Sequence, residues 1–260
     1  MSLTRRSLDT GWTLTCARPV GAPSLPEKIP ATVPGTVHTD LLAARLIPDP
    51  YLDLNEIAVD WVGRCDWRYD LTFDWHDEGA GRVDLVCEGL DTFAQVVLNG
   101  AILAETANMN RTWRFDLAGL LREGENTLSI LFESAWTRGE ALARHYEPRP
   151  NNYPGPANLM RKMACNFGWD WGPTLVTAGI WKSIRLESWS DARIARVRPE
   201  VTLDGADGRV RAHVERVLPV LDPHRLAVGA VRPTGHVTGG DDPGRRPAGL
   251  VGDDVVVGRG

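Results

Sequence analysis

The sequence predicts an all-β fold, a sandwich or a barrel. Three observations carry that prediction. Apolar and polar residues alternate at period two in several short runs, the mark of strands with one buried face. Asn99-Gly100, the strongest short hairpin signal, stands between two β-rich runs. Helical patterning is confined to two short stretches of a 260-residue chain.

The strands follow in order. Trp12-Thr-Leu-Thr15 alternates, and Trp67-Arg-Tyr-Asp-Leu-Thr-Phe73 alternates more clearly. Arg82-Val-Asp-Leu-Val-Cys-Glu-Gly89 is the next run. Thr92-Phe-Ala-Gln-Val-Val-Leu98 enters the Asn99-Gly100 turn and leaves it as Ala101-Ile-Leu-Ala104. Asn126-Thr-Leu-Ser-Ile-Leu-Phe132 follows a Glu123-Gly124-Glu125 turn, and Ile184-Arg-Leu-Glu-Ser-Trp189 alternates again. The residues expected in the core are Trp12, Phe73, Val86, Phe93, Leu98, Leu128, Ile130 and Ile184. Trp61, Trp67, Trp75, Trp113 and Trp136 are expected as packing residues. Helices are expected over Thr39–Leu46, after Pro34-Gly35, and over Thr137–His145. The stretch from Tyr146 to Pro156 has too many prolines for a central strand and reads as a long, stiff loop.

Past Trp189 the aromatic residues stop. Ala195–Leu203, a Gly205-Ala-Asp-Gly208 turn and Arg209–Glu215 read as the first hairpin of a second β-domain. From about Pro219 no periodicity lasts. Gly, Pro, Arg, Asp and Val dominate, a composition that buries too little apolar surface to offset the entropy of ordering. The expectation is a second domain begun and not completed, as in a truncated or frame-shifted reading frame.

Charge and composition exclude several classes. The net charge of −5 argues against a nucleic-acid binder. The N-terminus has no apolar segment of signal-peptide type, and no apolar run is long enough for a transmembrane helix. A cytoplasmic protein with no membrane partner is expected. Cys16, Cys65, Cys87 and Cys165 lack metal or redox spacing and are expected as reduced, buried thiols. No cofactor or metal motif stands out. His38 is expected to fix the loop after Pro34-Gly35 by hydrogen bonding. Asn110-Arg-Thr112 fits a glycosylation pattern with no expected use.

The densest chemical signal is Asn158–Lys182, where Trp169, Trp171 and Trp181 surround Asp170 among glycines and Pro173. An indole face stacks on a pyranose ring, and a carboxylate accepts paired hydroxyls. The same residues also fit a structural tryptophan corner with Asp170 capping a turn. The residues by themselves leave both readings open.

This segment resembles the one in β-mannosidases of glycoside hydrolase family 2, through Gly168-Trp-Asp-Trp-Gly-Pro173 and Gly179-Ile-Trp-Lys182. Further motifs match in order. They are Leu8-Asp-Thr-Gly-Trp12, Val33-Pro-Gly-Thr-Val-His-Thr-Asp-Leu41, Ile47-Pro-Asp-Pro-Tyr51, Trp61 with Trp67, Glu88-Gly-Leu-Asp-Thr-Phe93, Leu98-Asn-Gly100, Asn108-Met-Asn-Arg111 and Phe115–Asn126. The resemblance covers about residues 7–215. It implies a galactose-binding-like jelly roll over 1–192 and the first strands of an incomplete immunoglobulin-like sandwich over 193–218; the tail over 219–260 is expected to be disordered from its composition. It also implies retaining hydrolysis of terminal β-D-mannosides by two glutamates on a downstream barrel that this chain lacks. No residue is therefore assigned a catalytic role. By residue-wise carry-over, Asp170, Trp169 and Trp171 contact the glycone, with Asn166 a weaker candidate. The expected partners are a β-mannoside sugar or oligosaccharide and the downstream barrel. The alternatives are a free-standing carbohydrate-binding module and an inactive fragment.

Overall fold

The structure, a computed structural model, describes residues 3–152, 155–204, 207–218 and 250–257. The first strands are β1 (Leu3–Ser7), β2 (Thr13–Arg18) and β3 (Ile29–Pro30), followed by helices α1 (Val37–Ala43), α2 (Asn55–Ala58) and α3 (Asp60–Arg64). Strands β4 (Asp66–Trp75), β5 (Arg82–Cys87), β6 (Leu90–Asp91), β7 (Phe93–Leu98), β8 (Ala101–Ala107), β9 (Trp113–Asp116) and β10 (Gly124–Glu133) lead to α4 (Ala135–His145). After it come β11 (Phe167–Trp169), β12 (Gly172–Thr174), β13 (Gly179–Ile180), β14 (Ile184–Trp189), β15 (Arg193–Asp204), β16 (Asp207–Val217) and β17 (Leu250–Val257).

Alternation decides the main architecture, which is the all-β sandwich the sequence predicts. A four-stranded sheet runs β1-β14-β5-β9 and a six-stranded sheet runs β3-β2-β4-β10-β7-β8. In β4 the odd positions Trp67, Tyr69, Leu71, Phe73 and Trp75 turn inward; in β10 the even positions Asn126, Leu128, Ile130 and Phe132 do so. The two strands pair antiparallel with Leu128 opposite Leu71 and Ile130 opposite Tyr69. Leu85, Ile184 and Leu186 of the other sheet join the same buried cluster. Tyr69 sits edge-on to Phe132 with ring centres 5.7 Å apart. Its hydroxyl donates to Asp40 of α1 at 3.1 Å.

Of the expected core, Trp12, Phe73, Val86, Leu98, Leu128, Ile130 and Ile184 are buried. Phe93 is the correction, because it is only half-buried. Period two explains this. Ala94, Val96 and Leu98 face the core, so Phe93, of opposite parity to Leu98, faces outward beside Arg138. The Asn99-Gly100 turn forms as expected, with φ of 51° and 83°, the left-handed pair that a two-residue hairpin needs.

Helix α1 begins at Val37, ahead of the expected Thr39, because Thr36 and Thr39 form a reciprocal capping box. Helices α2 and α3 were not expected, since neither is long enough to show a period.

The chain divides into two compact units. One comprises residues 5–79 and 83–187 and holds the sandwich core. The other comprises, among the described residues, 3–4, 80–82, 188–204, 207–218 and 250–257. Within it, β15, β16 and β17 form an antiparallel three-stranded sheet. Strand β17 lies within the segment 219–260, which was expected to be disordered. Its Val255-Val-Val257 run pairs with β16, from Leu250 opposite Val217 to Val257 opposite Val210. The composition of a long window averages away such a short β-branched run. The rest of that tail lies outside the described residues.

Candidate functional site

Strands β11 and β12 form a small hairpin, with Phe167 opposite Thr174 and Trp169 opposite Gly172. Asp170 and Trp171 are therefore its two-residue turn. Gly168 permits the close approach, since its φ is +90° and a Cβ there would strike the Thr174 hydroxyl. Phe167 points the other way and is fully buried. It stands edge-on to Trp136 of α4 at 5.1 Å. Ala135, Ala157 and Val176 complete a small buried cluster beneath the hairpin. Across the turn from this cluster the polar and aromatic residues are presented outward. Trp169 is 45% exposed and Trp171 79% exposed, and Asp170 is exposed between them. A hollow of about 390 Å³ is lined by Asn152, Gly168, Trp169, Asp170 and Thr174.

The four candidate residues are thus placed differently. Trp169 and Asp170 line the hollow, while Trp171 projects beside it and is not in its wall. Asn166 sits in the short turn Ala164–Asn166 before β11, half-buried, and its Oδ1 is buried with no hydrogen-bond partner among the described residues. Trp181, the third tryptophan of the motif, is structural. Its Nε1 donates to the Met109 carbonyl at 2.9 Å and its ring lies against Gly89. Asn152 was missed by the sequence reading; its one signal was the Asn151-Asn152 pair inside the proline-rich stretch.

The base of the hairpin is tied down twice. The Thr174 N–H donates to the Glu56 carboxylate of α2 at 3.0 Å. Behind it, Lys162 donates to both oxygens of Asp91 at 2.6 Å, and the two side chains are sealed from solvent. Burial pulls the Lys162 ammonium below the ordinary lysine value, and the charge and hydrogen bonds of Asp91 oppose that pull. Sequence reasoning also missed this pair, whose members lie far apart in the chain.

Two other expectations are corrected here. His38 does not fix its loop by hydrogen bonding through Nδ1, which is buried without a partner among the described residues. Burial, reinforced by the nearby Lys162 charge, lowers its pKa to about 4, so it is neutral. The loop is held instead by the Thr36–Thr39 box and by Asp40, which accepts from the Thr32 N–H at 2.8 Å. Cys165 is exposed rather than buried, whereas Cys65 and Cys87 are buried and Cys16 is half-buried. No helix among the described residues is long and apolar enough to cross a membrane.

Comparison with known proteins gives a consistent picture. The family model described as "Glycosyl hydrolase 2 galactose-binding domain-like" matches residues 12–182. The chain is 41% identical over 191 residues to beta-mannosidase B of Aspergillus fumigatus, covering 70% of this chain and 22% of that protein. It is 38% identical over 176 residues to beta-mannosidase of Bos taurus, covering 63% of this chain and 20% of the relative. Among solved structures, the beta-D-mannosidase from Dictyoglomus thermophilum superposes with a TM-score of 0.75 at 36% identity, over 84% of this chain and 26% of that one. The exo-chitosanase of Amycolatopsis orientalis shares the fold at 16% identity, with a TM-score of 0.59 over 83% of this chain and 24% of that one. The chain spans about a fifth to a quarter of the length of these proteins.

Proposed function

The chain belongs to the galactose-binding-like domain family of glycosyl hydrolase 2, and on that premise we propose that it is the sugar-side domain of a β-mannoside hydrolase. In this reading Asp170 accepts hydroxyl hydrogen bonds from a terminal mannose, Trp169 and Trp171 offer ring faces to its apolar side, and Asn166 is a weaker candidate for the same contact. The observation that carries the reading is the Trp169-Asp170-Trp171 turn, exposed at the tip of a hairpin whose underside is anchored by Phe167. A structural tryptophan corner would bury its indoles.

Retaining glycoside cleavage needs an acid and a nucleophile about 5–5.5 Å apart across the anomeric carbon. Asp170 is the one carboxylate in the wall of the hollow among the described residues. One carboxylate can hold hydroxyls but cannot both protonate a leaving group and attack from the other face. The two reacting carboxylates would come from a downstream barrel, the partner domain in this proposal. The 260-residue chain is accordingly expected not to turn over p-nitrophenyl β-mannoside. An open site of this kind holds sugar at about −4 kcal/mol at best, or millimolar.

The test joins the chain in frame to the catalytic remainder of a related β-mannosidase. There Asp170→Ala should lower kcat/KM by about 2–4 kcal/mol, if the contact strengthens in the transition state. A variant as active as its parent would reduce Asp170 to a turn residue. Turnover by the chain alone would overturn the division of labour.

A further inference from the structure

The hairpin is carried on an arm, residues 157–178, which follows the proline-rich stretch and ends at β13. Ala157, Phe167 and Val176 of the arm pack with Ala135 and Trp136 of α4 in a small apolar cluster, while Leu175 and Ala178 near the end of the arm join the main core. An arm of this kind can be built in advance or can wait for a ligand to order it. The polar contacts at its base distinguish the two.

Lys162 precedes the hairpin and Thr177 follows it. The Lys162 ammonium donates to both oxygens of Asp91 at 2.6 Å, to the Thr177 carbonyl at 2.8 Å and to the Thr177 hydroxyl at 3.1 Å. The Thr177 hydroxyl donates to Asp91 at 2.6 Å. Asp91 lies on β6, opposite Gly179 of β13, where the arm ends. One carboxylate of the sandwich therefore holds both ends of the arm. The next residue back is fixed as well, since the Met109 N–H donates to the Arg161 carbonyl at 3.0 Å and Asn108 bridges to Arg161.

The pair does not touch substrate, because the Lys162 side chain is 0% exposed and that of Asp91 1%. Nor is it an efficient source of stability, since an apolar pair of the same volume would avoid the desolvation cost. Its distinctive property is geometric. An ammonium and a carboxylate out of water are satisfied by one arrangement and heavily penalised in others. His38 is neutral and adds no charge to the cluster.

We propose that the Lys162–Asp91–Thr177 clasp is a positioning device that holds the Trp169-Asp170-Trp171 turn in its ligand-ready geometry before any sugar arrives. The functional part of this statement rests on the reading of the turn as a sugar contact. Lys162 and Asp91 are positioning residues, since they act through the hairpin.

The test is hydrogen exchange on the whole chain without ligand, comparing the amides of Phe167–Thr174 with those of β4 and β10. In Lys162→Met/Asp91→Asn, protection in the hairpin should fall by about tenfold or more while the two sandwich strands keep theirs. Lys162→Gln/Asp91→Asn, which restores an amide-to-amide hydrogen bond, should recover part of the hairpin protection. Thr177→Val keeps both charges, so it gives the same comparison should the first double variant not fold; a smaller loss confined to the hairpin is expected. Equal loss in hairpin and sandwich strands would reduce the clasp to general stability. Unchanged hairpin protection in Thr177→Val and both double variants would refute the proposal. No sugar is present, so the outcome is independent of Asp170→Ala. A loosened arm with an inert Asp170→Ala would leave the positioning in place and remove the sugar reading.

Discussion

Three titrating side chains act on stability in different directions. His38 is held at about 4 by burial and by Lys162, below its ordinary 6.5. The unfolded chain therefore takes up that proton first, and stability is lost as pH falls from about 6.5 to about 4. Asp40 is raised by burial to about 6 from 3.8, against the hydrogen bonds from Thr32 and Tyr69. The folded chain takes up that proton first, so stability is gained as pH falls from about 6 to about 3.8. These two effects oppose each other over nearly the same window. Glu187 acts lower. Its burial would raise it, but the guanidinium groups of Arg114 and Arg185 outweigh this and hold it at about 2 instead of 4.5. That stabilisation is present above about 4.5 and is lost as pH falls towards 2. Urea midpoints should thus change little in a mildly acidic range and drop steeply below about 4.5. His38→Leu should unmask Asp40, so that its midpoint rises on acidification from pH 6 to 4. A midpoint falling over that range in the variant would contradict the assignment. Glu187→Gln should flatten the drop at lower pH.

Among the strands, parity has measurable consequences. Ile130 of β10 is fully buried between the sheets, and Ile130→Ala should cost about 2–5 kcal/mol by urea unfolding. Phe93 removes a larger side chain from the outward face of β7, yet Phe93→Ala should cost less than Ile130→Ala, because that face is only half covered. The reverse order would place Phe93 in the core after all. At the β7–β8 turn, Gly100 has open space around it and a φ of +83°. Gly100→Ala should therefore cost about 1 kcal/mol through backbone conformation alone. The hairpin β11–β12 follows a different logic. Too short to be stable by itself, it depends on Phe167 packing against Trp136 and on the clasp behind it.

For the molecule as a whole, the two units differ in how they treat apolar surface. The sandwich buries its inward residues in one cluster. The sheet β15-β16-β17 alternates just as cleanly, with Val197, Val201 and Leu203 of one parity and Arg196, Arg198 and Glu200 between them. Yet Leu203 remains 84% exposed, and Val201, opposite Val210, is exposed too. A row of exposed apolar side chains promotes self-association. Val201→Lys with Leu203→Lys should lower light scattering at high protein concentration without lowering the melting temperature of the sandwich. Scattering that stays the same would show that this face does not drive association.

The sequence alone determined the fold class, the main strands of the sandwich and the place of the Trp-Asp-Trp motif in the chain. Period two in Trp67–Phe73 and Asn126–Phe132, the Asn99-Gly100 turn and Gly168–Pro173 are local signals, and local sterics and burial act on them within a few residues. The tertiary structure decided what depends on distance. The face chosen by Phe93 followed from strand register, and the pairing of β17 with β16 followed from a partner strand that composition does not record. Lys162 and Asp91 lie 71 residues apart, and nothing near either one announces the other. The same holds for Glu56 with Thr174 and for Asn152 in the wall of the hollow. A buried polar pair is tolerable only where each partner is supplied, and here Lys162 meets Asp91 of β6, remote from it in the chain.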